Sequence, residues 1–262
     1  MNDAQEVLVQ RTGAAAWITL NRPAALNALT PTMMSLLQER LAELRADRGV
    51  RVIVLTGAGR AFCAGVDLSA VASHGSIADA TADFIRIAEP AADALQQMPK
   101  PVIAAVNGHA LAGGLELVLR CDFVIAAAEA RFGGGHANFG LIPGGGSTAR
   151  LPRRVGVALA KYMIYTGAQV DAATLKEAGL ISAVVPRVEL EKAVDRWVEK
   201  LAGKSPLGLA RCKHLIDSGL ALSETEAARI EARTAVEHCR SRDVAEGLAA
   251  FSEKRTPVFT GD

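Results

Sequence analysis

The chain has 262 residues, half of them hydrophobic but only 4% aromatic, so alanine, leucine, valine and isoleucine must build its core. The 29 basic and 28 acidic residues leave a formal charge of +1, which gives no sign of a nucleic-acid or anionic-membrane surface. Cys63, Cys121, Cys212 and Cys239 form no C-x-x-C pair, so reduced thiols are expected rather than a disulfide framework or a zinc site. The opening "MNDAQEVLVQ" lacks a basic stretch followed by an apolar one, and no apolar run approaches the roughly 20 residues of a membrane span. A cytoplasmic location is the expectation.

In chain order, "EVLVQ" and "AAWITLN" read as a hairpin. Thr30 then offers an N-cap and Pro31 a first helical residue. They open an amphipathic helix with Met34, Leu37, Leu41 and Leu44 at helical spacing. Three almost unbroken apolar runs, 51–57, 100–108 and 121–127, have the pattern of parallel strands buried on both faces. Helical segments over 80–97 and 114–120 lie between them, which is the strand, crossover, strand order of an α/β fold. His74 falls in a polar stretch, 72–80, expected to form a flap. Beyond Val155 the strand signal fades apart from "ISAVVP", and helices are expected over 157–165, 172–178, 189–201, 206–218, 224–238 and 243–251. Ser205 and a Ser223-x-x-Glu226 capping box mark two of their starts.

Glycine-containing turns follow the buried strands, and backbone N–H groups gathered beside helix starts make a natural anion site. "TGAGRAFCAGVDL" fails as a dinucleotide fingerprint because Phe62 stands where the last glycine is needed. "IPGGGSTARLP" fails as a nucleophile elbow because Ala149 replaces its last glycine. No histidine and carboxylate set has a metal-binding spacing.

The motifs "LNRPAALNALT", "VLTGAGRAFCAGVDL", "KPVIAAVNGHALAGGLEL", "FGLIPGGGSTARLPRRVG" and "EGLAAFSEKRTPVF" occur in the order seen in the crotonase (enoyl-CoA hydratase/isomerase) family. The chain resembles that family from about Leu20 to Phe259. The resemblance implies an α/β spiral of ββα units over 1–195, carrying an acyl-CoA site. A C-terminal helical region over 196–262 would mediate trimers or dimers of trimers. It implies no cofactor beyond the coenzyme A of the substrate, and an oxyanion hole made by the backbone N–H groups of Val66 and Gly113. Charge on a thioester oxygen needs such donors, each typically worth about 2.7–4 kcal/mol of barrier.

The family's first catalytic glutamate maps to Glu116, whose bland alternative is a buried salt bridge to Arg150. The second maps to His136, a departure from the family pattern; histidine still exchanges protons near neutral pH. The further acid of some family isomerases would stand at Gly144. Arg22, Ala64, Asp67 and Asn138 would border the acyl-CoA, and Phe251 and Lys254 would approach its nucleotide, often across a subunit boundary. Hydration of a 2-enoyl-CoA is the expected reaction. A thioester hydrolase or decarboxylase, or a silent acyl-CoA-binding paralogue, is the alternative.

Overall fold

Strand Val52–Gly57 (β3) places Val52 and Val54 on one face and Ile53 and Leu55 on the other, and all four are fully buried. That two-residue alternation within an unbroken apolar run is what a strand covered on both faces requires. A computed structural model describes residues 5–68 and 76–262. His74 therefore lies outside the described residues. Val7–Thr12 (β1) and Ala15–Leu20 (β2) form the expected antiparallel hairpin. β2 runs parallel to β3, which continues into Val102–Val106 (β5), Phe123–Ala127 (β7) and Ala183–Val185 (β10), all parallel, in the order β1-β2-β3-β5-β7-β10.

Each central strand is followed within a few residues by a short strand of a second sheet. Ala61–Cys63 (β4), His109–Leu111 (β6) and Arg131–Gly133 (β8) run parallel there, and Gln169–Asp171 (β9) closes the edge antiparallel. The repeat is thus strand, bend, strand, helix, which is a spiral of ββα units. Pro31–Ala46 (α1) starts at Thr30, whose Oγ1 accepts from Met33 N at 2.9 Å. Ile77–Gln96 (α2) packs against α1, and Gly113–Val118 (α3) follows β6.

Two cores result. Ile53, Leu55, Ala104 and Val124 pack towards α1 and α2. Val52, Val54, Ile103 and Ile125 pack against Leu190, Val194 and Val198 of Leu190–Ala202 (α7), where Phe123 and Trp197 sit 5.1 Å apart.

Between α3 and α7 lie Ser147–Val155 (α4), Val157–Thr166 (α5) and Ala172–Glu177 (α6). α4 departs from the expectation, which read its first residues as a turn. Gly144–Gly146 before it and Pro152 within it hide a helix that starts at Ser147. Ala61–Cys63 and His109–Leu111 likewise lie inside stretches expected to be glycine turns, because three residues are too few to show a period. Pro206–Gly219 (α8), Glu224–His238 (α9) and Arg242–Glu253 (α10) follow, with the Ser223–Glu226 capping box in place. α8 and α9 bury no residue completely.

The bend between β3 and β4 is pinned by side-chain amides. Asn27, fully buried with φ +57°, donates through Nδ2 to Ala58 O at 2.9 Å and Ala61 O at 2.8 Å. Its Oδ1 accepts from Arg22 N at 2.9 Å. Asn107 adds bonds to Gly57 O and Gly59 O. Asparagine tolerates the left-handed region better than most residues. Asn27→Ala should therefore cost about 2–3 kcal/mol, read as a lower denaturation midpoint, by stranding buried carbonyls. A midpoint unchanged from wild type would show that water replaces the amide.

Candidate active site

The carboxyl ends of the central strands, with the bends that follow, open into one cleft of about 620 Å³. In parallel α/β sheets this end is where chain direction leaves room for a ligand. Val66, Gly113, Glu116, His136 and Asn138 all line the cleft, as does Ala64. Facing them, α2 contributes Ile77, Phe84, Ile85 and Ala88 together with the polar Thr81 and Glu89, and Leu141 and Ile142 join this mostly apolar wall.

Val66 forms an isolated parallel bridge with Leu29. Leu29 N donates to Gly65 O at 2.8 Å, and Asp67 N donates to Leu29 O at 3.0 Å. In a parallel ladder those neighbours face the partner strand, so the N–H of Val66 itself points the other way. Gly113 begins α3, where an N–H has no partner within the helix. The residue before it, Ala112, is held at φ +47° while its N–H bonds Gly133 O at 2.9 Å. A Cβ on Gly113 would stand 3.6 Å from Gly65 Cα and 3.7 Å from Val66 Cγ2, so the two turns are in contact. A strained alanine beside a free amide is the kind of backbone tension that clusters at functional sites.

Glu116 lies on the inner face of α3 and is only 9% exposed. Its Oε1 accepts from Gly145 N at 2.8 Å and Ser147 N at 3.2 Å. Those amides come from the turn that enters α4. Arg150 is not its salt-bridge partner: its guanidinium donates to Gln96 Oε1 at 2.8 Å instead. Buried carboxylates need donors, and here the backbone supplies them. The approach is close enough to demand glycine, since a Cβ on Gly145 would lie 2.5 Å from Glu116 Oε2.

His136 opens a 3-10 turn, His136–Phe139, entered through Gly135 at φ +60°. Its Nδ1 is buried without a hydrogen-bond partner, so Nε2 is the nitrogen the ring can offer to the cleft. Cys63, at the base of the turn that carries Val66, is sealed in. Burial pushes its thiol up to about 12, so it is no nucleophile at neutral pH.

Arg22 and Asp67 pair at 2.9 Å, and Arg22 also reaches Glu6 and Ala28 O, bracing the loop below Val66. Phe251, 84% exposed, and Lys254, at the C-terminal cap of α10, do not line the cleft of this copy of the chain. Among the described residues, no group of three histidine, cysteine or acidic side chains could hold a metal ion. Sequence reasoning missed the Gly145 and Ser147 amides, Gln96 and Arg120. The only signal for the amides was three glycines before a helix start.

The family model for enoyl-CoA hydratase/isomerase matches residues 10–262. The chain belongs to the enoyl-CoA hydratase/isomerase family. It is 38% identical to the 2,3-dehydroadipyl-CoA hydratase of Escherichia coli, over 98% of this chain and 99% of that protein. The crystal structure of an enoyl-CoA hydratase from Bacillus anthracis superposes with a TM-score of 0.94 at 38% identity, covering 98% of this chain and 100% of that one. One from Polaromonas gives 0.93 at 31% identity, over 97% and 99% of the two chains.

The chain is thus an enzyme of the enoyl-CoA hydratase type, built on the α/β spiral that the motifs implied. Within this family enzyme, the fit of Gly145 against Glu116 has a direct consequence. Gly145→Ala should displace the Glu116 carboxylate and cut turnover of an enoyl-CoA about 100-fold, the size of effect that a misplacement of about 1 Å within a site produces. Wild-type kcat in that variant, by steady-state assay, would show that the carboxylate's position is not critical.

Proposed function

We propose that this enzyme adds water across the 2,3 double bond of a 2-enoyl-CoA thioester. The observation that carries the reading is the Glu116 carboxylate, anchored through Oε1 by two amides while Oε2 has no partner among the described residues and shares a mostly apolar cleft with His136 and Asn138. In this reading Oε2 takes a proton from water as the water oxygen attacks Cβ. Electron density moves to the thioester oxygen, which sits between the N–H groups of Val66 and Gly113. His136 Nε2 gives a proton to Cα, and the thioester carbonyl re-forms. The proton held by Glu116 returns to solvent as the histidine takes one up, so the net change is the addition of one water.

An isomerase built on a third carboxylate fits poorly. Position 144, which lines the cleft, is glycine and carries no acid, and a Cβ there would crowd Ile85 Cδ1 at 3.2 Å. On this reading coenzyme A enters only as part of the substrate. Ala64 and Asn138 border its thioester end, and the Arg22–Asp67 pair, which does not line the cleft, braces the loop that carries Val66. The buried free thiols Cys63 and Cys121 suit a reducing compartment such as the cytoplasm.

Glu116→Gln should lower kcat about 10²–10⁴-fold, and His136→Ala should lower it in the same direction, as expected for loss of a general base or acid. Product analysis by mass spectrometry should find a hydroxyacyl-CoA. Free CoA or carbon dioxide instead would favour hydrolysis or decarboxylation on the same scaffold. Full turnover in Glu116→Gln would remove it as the base.

Self-association as a trimer or dimer of trimers belongs to the same proposal, with 196–262 as its contact region. Ile216, Leu220, Val236, Leu248 and Phe251 on α8–α10 are all more than 60% exposed in a single copy, an apolar load that monomers rarely display. Light scattering should give a mass three or six times that of the 27.4 kDa chain. A monomer would overturn this part.

A further inference from the structure

Beside Glu116 stand two guanidinium groups to which the chemistry above gives no task, Arg120 at the margin of the cleft and Arg150 outside its lining. Arg120 follows one helical turn later, with its side chain only 6% exposed. Its Nη1 pairs with Asp93 and donates to Gln96 Oε1 at 3.1 Å, both near the C-terminal end of α2. Its Nη2 reaches Gly145 O at 3.4 Å. Arg150 shares the Gln96 oxygen, and its guanidinium lies so close to Gly146 that a Cβ there would collide with it. Two cations thus converge on the turn whose amides hold Glu116 Oε1.

Such convergence is expensive. Burial, and after it the charge of Arg120, pushes the Arg150 guanidinium below its ordinary pKa. Apolar side chains of similar volume often fill a buried site at lower cost than charges do. A purely space-filling role therefore explains the residue at position 120 poorly.

We propose that Arg120 is a positioning residue for the base. Anchored on Asp93 and Gln96, it holds the Gly145 carbonyl, and so keeps the amides of Gly145 and Ser147 aimed at Glu116 Oε1 and Oε2 turned to the cleft. The proposal rests on Glu116 being the base, and it requires no contact between Arg120 and substrate. It also links two functions of one helix. α2 supplies Phe84 and Ile85 to the acyl wall and, through Arg120, the support for the carboxylate. The seat of the acyl chain and the aim of the base share a single anchor.

The test is a kinetic cycle with Arg120→Met, Glu116→Gln and the double variant, assayed on a short enoyl-CoA. Hydrogen exchange of the peptide spanning 143–149 is measured alongside. Arg120→Met should lower kcat about 10- to 100-fold, the size of a small misplacement, with KM changed less than about threefold. In the Glu116→Gln background the same substitution should cost less than about twofold, because a residue acting through another loses its effect once that one is gone. Exchange at 143–149 should quicken in Arg120→Met. Equal kcat losses in both backgrounds, an effect on KM alone, or unchanged exchange would overturn the proposal.

Should Arg120→Met fail to fold, Gln96→Leu keeps both guanidiniums and removes their shared acceptor. It should give a smaller kcat loss with the same dependence on Glu116 and faster exchange, and wild-type values on both would refute the brace. If the wild-type enzyme hydrates no enoyl-CoA, the proposed reaction falls. The exchange measurement then decides the brace by itself, with quickened exchange supporting it and unchanged exchange ending it.

Discussion

Everything polar in the cleft depends on how a carboxylate survives with only 9% of its residue exposed. An unpaired charge there would be costly, and a lysine or arginine partner would neutralise the oxygen the chemistry needs. Two backbone amides solve both problems, since they bond one oxygen and leave the other bare. The price of that solution is steric: the turn must come so near that residue 145 has no side chain. The placement of α4, entered directly from that turn, follows from the same contact.

The amides face Glu116 because of where the parallel strands end. β3, β5 and β7 run side by side in one direction, so the bends after them gather at one edge of the sheet. Each bend feeds a strand of the second sheet, which draws the Cys63–Val66 and Leu111–Gly113 turns into contact. Asn27 and Asn107 fasten this junction by giving hydrogen bonds to carbonyls that neither sheet can pair. The site is therefore a property of sheet direction first and of side chains second.

That division explains what could be read in advance. The central strands were legible, because burial on both faces demands an unbroken apolar run such as Val52–Leu55. So were α1 and α9, whose caps at Thr30 and Ser223 are side-chain chemistry. Glu116 and His136 stood out as polar residues among glycines and leucines. The partners of Glu116 did not, because an N–H belongs to every residue but proline and leaves no mark in a sequence. β4, β6 and β8 escaped for another reason: three residues cannot display a period of two, and their strand character comes from neighbours far along the chain.

The cleft's apolar wall carries as much chemical information as its polar one. α2 presents Phe84 and Ile85 to the acyl side, and Ile85 packs against the bare Gly144. With no acid at Gly144, the proposed reaction draws its proton carriers from Glu116 and His136, while Glu89 lies on the α2 side of the cleft. A substrate held with its thioester oxygen between Val66 and Gly113 would then meet Glu116 and His136 on one wall and the largely hydrocarbon face of α2 on the other. A water positioned by Glu116 would attack the carbon beside it, which favours addition there over migration of a proton along the acyl chain. Selection among the reactions open to this scaffold thus comes from where its carboxylates stand: Glu116 is fixed by the turn into α4, and Gly144 offers none.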